Sequence, residues 1–463
     1  MLVPDGVGVR NFVLGPMLQC ASRRGPVAMV HAIPEQVLPR YLESAPGEVE
    51  WRPLRPHGET ALAFVLRNAL SYAHMHHVDS LAMRYTRRRP VRGSWRTRTA
   101  FGAARVIGRT AASERGIRLL DGWHYAVVGR MPQVAEYRRE FERMRPSVLF
   151  CSHQRPATVL APVLAARSLG IPTATFIFSW DNLTSKGRIA APFDHFLVWS
   201  DLMRDELLRF YPEVTPDRVH VVGTPQFDPY ADPALHATRE QFFERIGADP
   251  RRPLVCYSGG DIECNPEDQD HVAVLMELVR SGRVRGDPQV LLRPAPVDGS
   301  DRYDAVRRRY PGMLYAPPAW VRPGGGDWSG MMPLPDDVWF LANLTRHADV
   351  NVNVASTMTL DFAINDRPVV NIAFDVADPP CHAVPLRQYY YEFEHYRPVV
   401  ELGAARIALS PDELAGHLNA YLADPSLDRE ARRRFVELQV GAAVGTSSGR
   451  IVDLLERIAA CGR

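Results

Sequence analysis

One stretch of the chain places several chemically capable side chains directly after an apolar segment. Residues 173–179 are mostly apolar or hydroxylic and predict a buried strand. The loop that follows offers a ring face, a carboxylate, an amide, two hydroxyls and an ammonium, from Trp180, Asp181, Asn182, Thr184, Ser185 and Lys186. Ligands of α/β proteins bind at the carboxyl ends of strands, so this loop is a candidate site.

Lys186 is the only lysine among the 55 basic residues of the chain. Wherever a surface charge is sufficient, this sequence uses arginine. A compact ammonium acts as a point charge on an anion or a carbonyl oxygen, which a planar guanidinium cannot do in the same way. Lys186 is therefore predicted to serve the site, and the alternative is a single lysine placed without a role.

A second candidate site follows the alternating segment 349–355. Ser356 and Thr357 are expected to begin a helix whose free backbone N–H groups bind a diphosphate. Thr359 and Asp361 follow within that helix, and the Asp361 carboxylate is predicted to accept hydrogen bonds from ribose hydroxyls. Ordinary capping by Ser356 with a solvated Asp361 is the alternative.

Two further strand ends fit the same ligand. Ser258, Gly259 and Gly260 end an apolar strand, and bare glycines let backbone N–H groups approach a phosphate. Arg293 ends the next strand, where its guanidinium can bind a diphosphate bidentately. A tight turn at the glycines and a surface ion pair at Arg293 remain the alternatives.

The elements that position these residues alternate regularly along the chain. Short apolar runs followed by amphipathic stretches are typical of βα units around parallel sheets, and 463 residues suit two domains. The predicted fold class is α/β, with two Rossmann-like doubly wound lobes and a C-terminal helical tail. We predict an acceptor lobe at 1–228 with an arginine-rich insertion at about 80–125, a linker at 229–250, a donor-binding lobe at 251–400 and the tail at 401–463.

Composition, charge and cysteine spacing indicate the class of protein and its cellular compartment. The hydrophobic content of 46% and charged content of 23% are those of a soluble globular protein, and a net charge of +2 gives no field that favours nucleic acid. Six scattered cysteines without CxxC spacing indicate a reducing compartment. No apolar run is long enough to span a bilayer, and the first residues lack the pattern of a signal peptide. The expectation is a cytoplasmic protein.

Seven arginines crowd residues 84–98, together with Tyr85 and Trp95. The first interpretation is a solvated face of the insertion. The second is a contact with an anionic membrane, with both rings at the interface, which would make the protein membrane-associated. The third, nucleic-acid binding, lacks any accompanying recognition motif.

Part of the second lobe, between residues 335 and 375, resembles the donor-binding segment of inverting GT-B nucleotide-sugar glycosyltransferases. The matched features are a helix-capping acid, an Ala-Asp-Val strand, a Ser/Thr-rich turn, a ribose-binding acid and a Pro-Val strand, at Asp337, 348–350, 356–359, Asp361 and 368–369. In the first lobe, residues 168–172 resemble the helix exit of the lipid-linked muramyl-peptide N-acetylglucosaminyltransferase and of UDP-N-acetylglucosamine 2-epimerases.

The resemblance implies a nucleoside-diphosphate sugar as donor and an acceptor-side loop that contains Trp180, Asn182, Thr184 and Lys186. Two departures are clear in the first lobe. Residues 152–155 replace the Gly-Asp-Arg/Thr loop of the epimerases, and the first loop, residues 5–8, lacks the histidine that serves many plant-type members as base. The teichoic-acid polymerases are also similar, but residues 180–182 replace their Trp-His-Gly loop.

The implied reaction needs a base for the acceptor hydroxyl and stabilisation of the charge that develops on the leaving diphosphate. Asp181 is the first candidate for the base and Asp5 the second. His153 is the third, because a histidine after a strand is often structural. The leaving group is expected to contact the helix end at Ser356 and Arg293. No Asp-x-Asp motif is placed to hold a metal, so no metal and no cofactor are expected.

The predicted function is transfer of a sugar, with inversion, from a nucleoside diphosphate to a cytoplasmic sugar, glycolipid or small-molecule acceptor. Such a reaction belongs to the synthesis of a polysaccharide, a glycolipid or a secondary metabolite, and no nucleic-acid partner is expected. The alternatives are a CDP-polyol phosphotransferase of the same fold and a non-catalytic protein that binds a nucleotide sugar.

Overall fold

A computed structural model describes residues 1–43, 45–55, 58–91, 93–323, 330–378, 380, 382 and 384–461. The chain forms two compact units, one of residues 1–225 with 441–463 and the other of residues 226–440. Each unit is built on a parallel sheet flanked by helices. The predicted fold class is therefore confirmed.

The first unit contains seven strands, β1 (Leu2–Val3), β2 (Val27–His31), β3 (Val49–Pro53), β4 (Leu149–Cys151), β5 (Thr173–Phe176), β6 (His195–Val198) and β7 (Val219–Val221). Their order in the sheet is β3-β2-β1-β4-β5-β6-β7. The chain thus moves outward from β1 on one side and, starting at β4, outward on the other. In such doubly wound sheets ligands bind at the carboxyl ends of the strands where the order reverses, here between β1 and β4.

The helices of this unit before the second sheet are α1 (Gly6–Phe12), α2 (Met17–Ser22), α3 (Leu38–Leu42), α4 (Ala61–Val78), α5 (Leu81–Arg88), α6 (Trp95–Thr110), α7 (Glu114–Gly129), α8 (Pro132–Met144), α9 (Leu160–Ser168), α10 (Asn182–Ser185) and α11 (Asp201–Phe210). Five of these helices, α4 to α8, lie between β3 and β4, where the sequence predicts an insertion at about 80–125. The hydroxyls of Thr60, Ser80, Ser94 and Ser113 begin α4 to α7 by accepting from a backbone N–H of the first turn. A buried apolar core shared by these four helices holds the insertion together.

The second unit contains β8 (Leu254–Ser258), β9 (Gln289–Arg293), β10 (Leu314–Tyr315), β11 (Trp320–Val321), β12 (Met332–Pro333), β13 (Val350–Asn353), β14 (Val369–Ile372) and β15 (Arg406–Ala408). Its main sheet is parallel, in the order β10-β9-β8-β13-β14-β15, and β11 pairs with β12 in a separate antiparallel ribbon. Its helices are α12 (Arg239–Ile246), α13 (Asp268–Arg280), α14 (Asp304–Arg309), α15 (Pro335–His347), α16 (Met358–Ile364), α17 (Leu386–Tyr390), α18 (Arg397–Leu402), α19 (Pro411–Ala423) and α20 (Arg429–Val440).

The ends of the predicted lobes differ from the observed units. Residues 229–250, predicted as a linker, contain α12 and belong to the second unit. The predicted tail begins with an edge strand, β15, and its last helix, α21 (Ser447–Cys461), belongs to the first unit. There Arg24 pairs with Asp453 and Glu456, both at 3.1 Å. Hydrophobic periodicity identifies a helix but not the sheet on which it packs, which explains the difference.

Two predicted helix starts also need correction. Asp5 is the N-cap of α1, so the predicted first loop is already helical from Gly6. The helix predicted to be capped by Asp337 begins earlier, at Pro335, and no side chain caps its first residue. Asp337 instead lies in the first turn, where its charge suits the helix dipole.

Five cysteines are free thiols, Cys20, Cys151, Cys256, Cys264 and Cys461, and Cys381 lies outside the described residues. Within the described part of the chain, no helix has both the length and the apolar character needed to cross a membrane.

Candidate functional site

The carboxyl ends of β1 and β4 bring Asp5 and His153 together. Asp5 follows β1, and its Oδ1 accepts a hydrogen bond from the backbone N–H of Gly8 at 2.9 Å. The other carboxylate oxygen, Oδ2, lies 2.5 Å from Nδ1 of His153, which follows β4. Two of the three predicted base candidates therefore form one hydrogen-bonded pair at the position where the strand order reverses.

Electrostatics fix the protonation of this pair. Burial by itself would raise the pKa of Asp5, but the charge and hydrogen bond of His153 and the N–H groups of Gly8 and Val7 hold that pKa below its usual value. An ionised carboxylate at Oδ2 keeps the imidazole proton on Nδ1, which leaves the lone pair on Nε2. Nε2 is buried and has no hydrogen-bond partner among the residues that the structure describes. Phe178 stacks on the ring with 4.1 Å between centroids and restricts its orientation.

Glycine at position 8 allows α1 to pack closely on the loop that carries His153. A Cβ built at Gly8 would lie 2.6 Å from Ser152 Oγ, 3.2 Å from a Val3 methyl group and 3.5 Å from Asp5 Oδ1. A larger residue would force the Ser152 hydroxyl to rotate or α1 to move. The sequence shows a glycine here, but its reason becomes visible only when β1 and β4 are adjacent.

Asp181, the first predicted base, is surrounded by donors from its own loop. Its Oδ1 accepts from Asn182 Nδ2 at 3.1 Å and its Oδ2 from Ser185 Oγ at 2.9 Å. Lys186 Nζ lies 3.6 Å from Oδ2. The predicted proximity of Asp181 and Lys186 is therefore present, although both carboxylate oxygens already accept a hydrogen bond.

Three of the predicted acceptor-side residues, Trp180, Asn182 and Thr184, are buried. Asn182 Oδ1 accepts from Gln154 Nε2 at 3.1 Å, and Gln154 Oε1 accepts from Phe178 N at 3.1 Å. In this arrangement the three hold the loop against the rest of the unit, and their contact with an acceptor stays a prediction. Lys186, by contrast, remains partly exposed.

In the second unit, the predicted phosphate loop is closed by internal hydrogen bonds. The N–H of Gly259 donates to Arg293 O at 2.8 Å, and the N–H of Gly260 donates to Asp268 Oδ2 at 3.0 Å. A Cβ at Gly259 would lie 2.6 Å from the Tyr303 hydroxyl. Close packing accounts for Gly259 in this arrangement, and the approach of this loop to a phosphate stays a prediction.

Arg293 is also engaged within the unit. Its buried guanidinium donates to Asp337 Oδ1 at 2.8 Å. Burial would raise the pKa of Asp337, but the charge of Arg293, its hydrogen bond and the bonds from Trp320 and Ala319 hold the pKa below its usual value. Arg293 is thus one partner of a buried ion pair, and its contact with a diphosphate stays a prediction.

A buried amide network supports the Ser/Thr-rich turn. Asn351 Nδ2 donates to Ser258 Oγ at 2.7 Å, and Asn353 Nδ2 donates to Asn351 Oδ1 at 2.7 Å. Asn371 Nδ2 donates to Asn353 Oδ1 at 2.9 Å, and that oxygen also accepts from the N–H of Ser356 at 2.9 Å. The alternating Asn351 and Asn353 were the available sequence signal, since asparagine is unusual in a buried strand.

The predicted donor residues of this turn separate into accessible and buried ones. Thr357 is exposed and Ser356 partly exposed, just before the seven-residue α16. Thr359 is fully buried beside the Tyr396 hydroxyl at 2.9 Å. Asp361 is buried and accepts from the Tyr230 hydroxyl at 2.5 Å. Ser356 and Thr357 are thus the accessible members of the set, and contact of the four residues with a donor stays a prediction.

The sequence matches no family model, and no curated protein matches it at a significant level. Solved structures, however, match its fold over nearly the whole chain. A glycosyltransferase from Rickettsia africae has a TM-score of 0.52 and 10% identity, covering 99% of this chain and 97% of its own. UDP-GlcNAc 2-epimerase from Neisseria meningitidis bound to UDP-GlcNAc has a TM-score of 0.51 and 9% identity, covering 99% and 100%. The chain has the GT-B fold.

Two residues of this GT-B fold that act on predicted site residues were not identified from the sequence. The charge of Arg155 acts on both Asp5 and Asp181, and the Tyr230 hydroxyl binds Asp361. Arg155 belongs to the same loop as His153, which was the only signal available for it. Tyr230 had none, because it lies far from Asp361 in the sequence.

No three His, Cys, Asp or Glu side chains of the described residues are grouped so as to hold a metal ion. A cavity of about 580 Å³ in the first unit is lined by Arg204, His220, Arg450 and Arg457, among others. None of the predicted site residues lines it, so it is separate from the candidate site.

Proposed function

We propose that the chain is a nucleotide-sugar-dependent glycosyltransferase in which His153 is the general base. The observation that carries this proposal is the Asp5–His153 pair at the carboxyl ends of β1 and β4. Enzymes often pair a histidine with a carboxylate that fixes the tautomer of the imidazole, and the imidazole then accepts or donates a proton near neutral pH. The fold supports the substrate class, since similar structures are a glycosyltransferase and an epimerase bound to UDP-GlcNAc.

In the proposed reaction the acceptor hydroxyl donates its hydrogen bond to Nε2 of His153. As the acceptor oxygen bonds to the anomeric carbon, Nε2 takes the hydroxyl proton and the bond from that carbon to the diphosphate oxygen breaks. Asp5 stays ionised and stabilises the imidazolium that forms. A single displacement of this kind inverts the anomeric centre, and the leaving group departs as a nucleoside diphosphate.

The geometry favours His153 over the other two candidates for the base. Asp5 is buried, with one oxygen bonded to Gly8 and the other to His153, so it acts as the positioning residue. Both oxygens of Asp181 already accept from its own loop. Only His153 combines a proton-accepting atom with a partner that fixes the opposite side of the ring.

For the donor, we propose that Ser356 and Thr357 contact the diphosphate. Their support is exposure at the turn between β13 and α16, together with the amide network that fixes the backbone N–H of Ser356. Lys186 is proposed to place its ammonium on a substrate oxygen. We propose no role for a divalent cation, because the carboxylate of Asp268, in the Asp-x-Asp sequence at 268–270, is buried and accepts hydrogen bonds within the unit.

The test is a product assay with UDP-, GDP-, dTDP- and CDP-linked sugars, in which the released nucleotide and the sugar acceptor product are both quantified. Turnover is expected with one donor class and should persist in excess EDTA. His153→Gln should lower kcat by about 10²–10⁴-fold, the usual contribution of a general base, without changing the Kd of the donor. His220→Gln, in the same unit but outside the site, is the matched control.

The alternatives give different products. Release of CMP would indicate a CDP-polyol phosphotransferase, and donor binding without turnover would indicate a silent binding protein. Full activity of His153→Gln would remove the proposed base while leaving the transferase assignment intact.

A further inference from the structure

The helical insertion of the first unit holds the unbalanced positive charge of the chain. From Leu81 to Gly129 the sequence contains eleven arginines and two acidic residues, a net charge of +9 in a chain whose total is +2. The remaining residues are therefore net acidic. The positive charge is confined to α5, α6, α7 and the short segments between them.

One face of α6 combines arginines with exposed apolar side chains. Trp95, Arg98, Gly102, Val106 and Arg109 recur every three or four residues, so they share one side of the helix, and all five are exposed. Trp95 exposes 71% of its surface and Val106 exposes 67%. The opposite side of α6 packs on α4.

The outward face of α7 has the same composition. Arg115, Arg118, Leu119, Gly122 and Trp123 are exposed and follow the same helical spacing. Leu119 and Trp123 each expose 53% of their surface. Two helices of one insertion thus repeat the combination of a tryptophan, an aliphatic side chain, a glycine and two arginines.

The acidic residues of the segment do not neutralise these faces. Glu114 lies 3.6 Å from Arg118, and Asp121 is buried against Arg188. Five exposed arginines form no ion pair with any residue in the described part of the chain, namely Arg88, Arg96, Arg98, Arg109 and Arg115. Their charge is therefore available to an external anionic surface.

We propose that the outward faces of α6 and α7 dock on an anionic lipid bilayer. Arginines bind lipid phosphates, tryptophans prefer the headgroup region, and exposed aliphatic side chains gain free energy by entering the acyl boundary. An anionic bilayer complements these faces, because they combine arginines with apolar side chains. Their one acidic residue, Glu114, is paired with Arg118. The inference does not depend on the proposed transferase activity.

A nucleic acid fits these faces less well. Arginine and tryptophan also bind single-stranded RNA, through phosphates and base stacking. Val106 and Leu119, however, offer neither a stacking face nor a hydrogen bond, and each lies one helical turn from an arginine of the same face. Exposed aliphatic residues in that position are explained by lipid and not by nucleotides.

The experiment is cosedimentation of the full chain with vesicles of phosphatidylcholine, with or without phosphatidylglycerol. We expect binding only to the anionic vesicles, weakening as salt is raised. Arg98→Gln with Arg109→Gln should weaken binding about 25-fold, since each arginine near the surface contributes about fivefold. Trp95→Ala with Val106→Ala should weaken it about tenfold or more.

Matched controls come from exposed residues of the second unit. Arg308→Gln and Leu438→Ala remove the same side-chain types from α14 and α20 and should leave vesicle binding unchanged. The wild-type chain should also show a blue shift of tryptophan fluorescence on anionic vesicles, which Trp95→Phe with Trp123→Phe should abolish.

Three results would overturn the proposal. The first is equal sedimentation with neutral and anionic vesicles. The second is vesicle binding that survives both double substitutions on α6. The third is binding to a single-stranded RNA homopolymer, lost in the arginine variants, without any binding to vesicles.

Discussion

Replacement of Asp5 by asparagine separates the catalytic role of this residue from its structural role. Asp5 does two things, since Oδ1 accepts from Gly8 N at 2.9 Å and Oδ2 accepts from His153 Nδ1 at 2.5 Å. Asparagine caps helices about as well as aspartate, so Asp5→Asn should retain the start of α1. What it removes is the negative charge beside the imidazole.

The expected loss of rate follows from these two contacts. A hydrogen bond to a charged group contributes about 1.5–3 kcal/mol, against about 1 kcal/mol for a neutral one. The loss of about 1–2 kcal/mol in imidazolium stabilisation corresponds to about 5–30-fold in kcat. That smaller loss applies if the amide oxygen faces Nδ1 and gives up its bond to Gly8. If the amide oxygen keeps the Gly8 bond, the amide nitrogen faces Nδ1, the ring proton moves to Nε2, and the loss extends toward the full 10²–10⁴-fold of general-base catalysis.

The assay compares kcat, donor Kd and Tm of the wild type, Asp5→Asn and Asp5→Ala. Asp5→Asn should lower kcat while Tm and donor Kd stay near those of the wild type. Asp5→Ala removes the cap as well and should cost a further ~1 kcal/mol of stability. Unchanged kcat in Asp5→Asn, in a background where His153→Gln is inactive, would refute the positioning role.

The acid dependence of stability provides an independent measurement. Because the pKa of Asp5 in the folded state lies below the ordinary value of 3.8, ionised Asp5 stabilises the fold above that pH. This contribution is lost as the pH falls through the lower folded-state pKa. Asp5→Asn should therefore show a smaller loss of unfolding free energy below about pH 4.

Four further substitutions test single residues. Lys186→Arg should lower kcat although it preserves charge, because a planar guanidinium is larger than the compact ammonium that lies 3.6 Å from Asp181; equal activity would show that any cation suffices. Thr357→Ala should weaken the free energy of donor binding by about 1–3 kcal/mol at unchanged Tm, and an unchanged donor Kd would exclude that contact. Asp361→Ala should lower Tm, because the buried hydroxyl of Tyr230 loses its hydrogen bond. Burial holds the pKa of His74 well below 6.5, so below about pH 6.5 the unfolded chain binds one proton more than the folded chain. The free energy of unfolding should therefore fall with pH by up to ~1.4 kcal/mol per pH unit. His74→Phe should flatten that slope in urea titrations, and an unchanged slope would contradict a neutral buried imidazole.

Local sequence was a good guide to which residues end strands. The structure puts four predicted site residues within three positions of a strand end, namely Asp5, His153, Arg293 and Ser356. Asp181 lies five positions beyond β5, which ends at Phe176 and not at the predicted residue 179. Strand periodicity and the polar residues that follow it are visible within a few positions. The same information predicted the two-lobed α/β class, which the fold confirms.

Burial of the polar candidates was not visible in the sequence. Ser258, Thr359 and Asp361 looked like exposed ligand contacts but accept or donate within the second unit. Arg293 looked like an open cation and is paired with Asp337. A polar residue at a strand end serves a ligand or a neighbouring strand, and only the packing of the sheet distinguishes the two.

The sequence by itself determined the α/β class, the alternation of strands and helices and the positions where polar groups interrupt apolar segments, because all of these depend on neighbours along the chain. Only the tertiary structure decided that Asp5 and His153 form a pair. The helices α4 to α8 separate β3 from β4, yet β4 returns to lie beside β1. Strand order is set by the packing of whole helices and sheets, so a contact between residues so far apart in the sequence has no local signature.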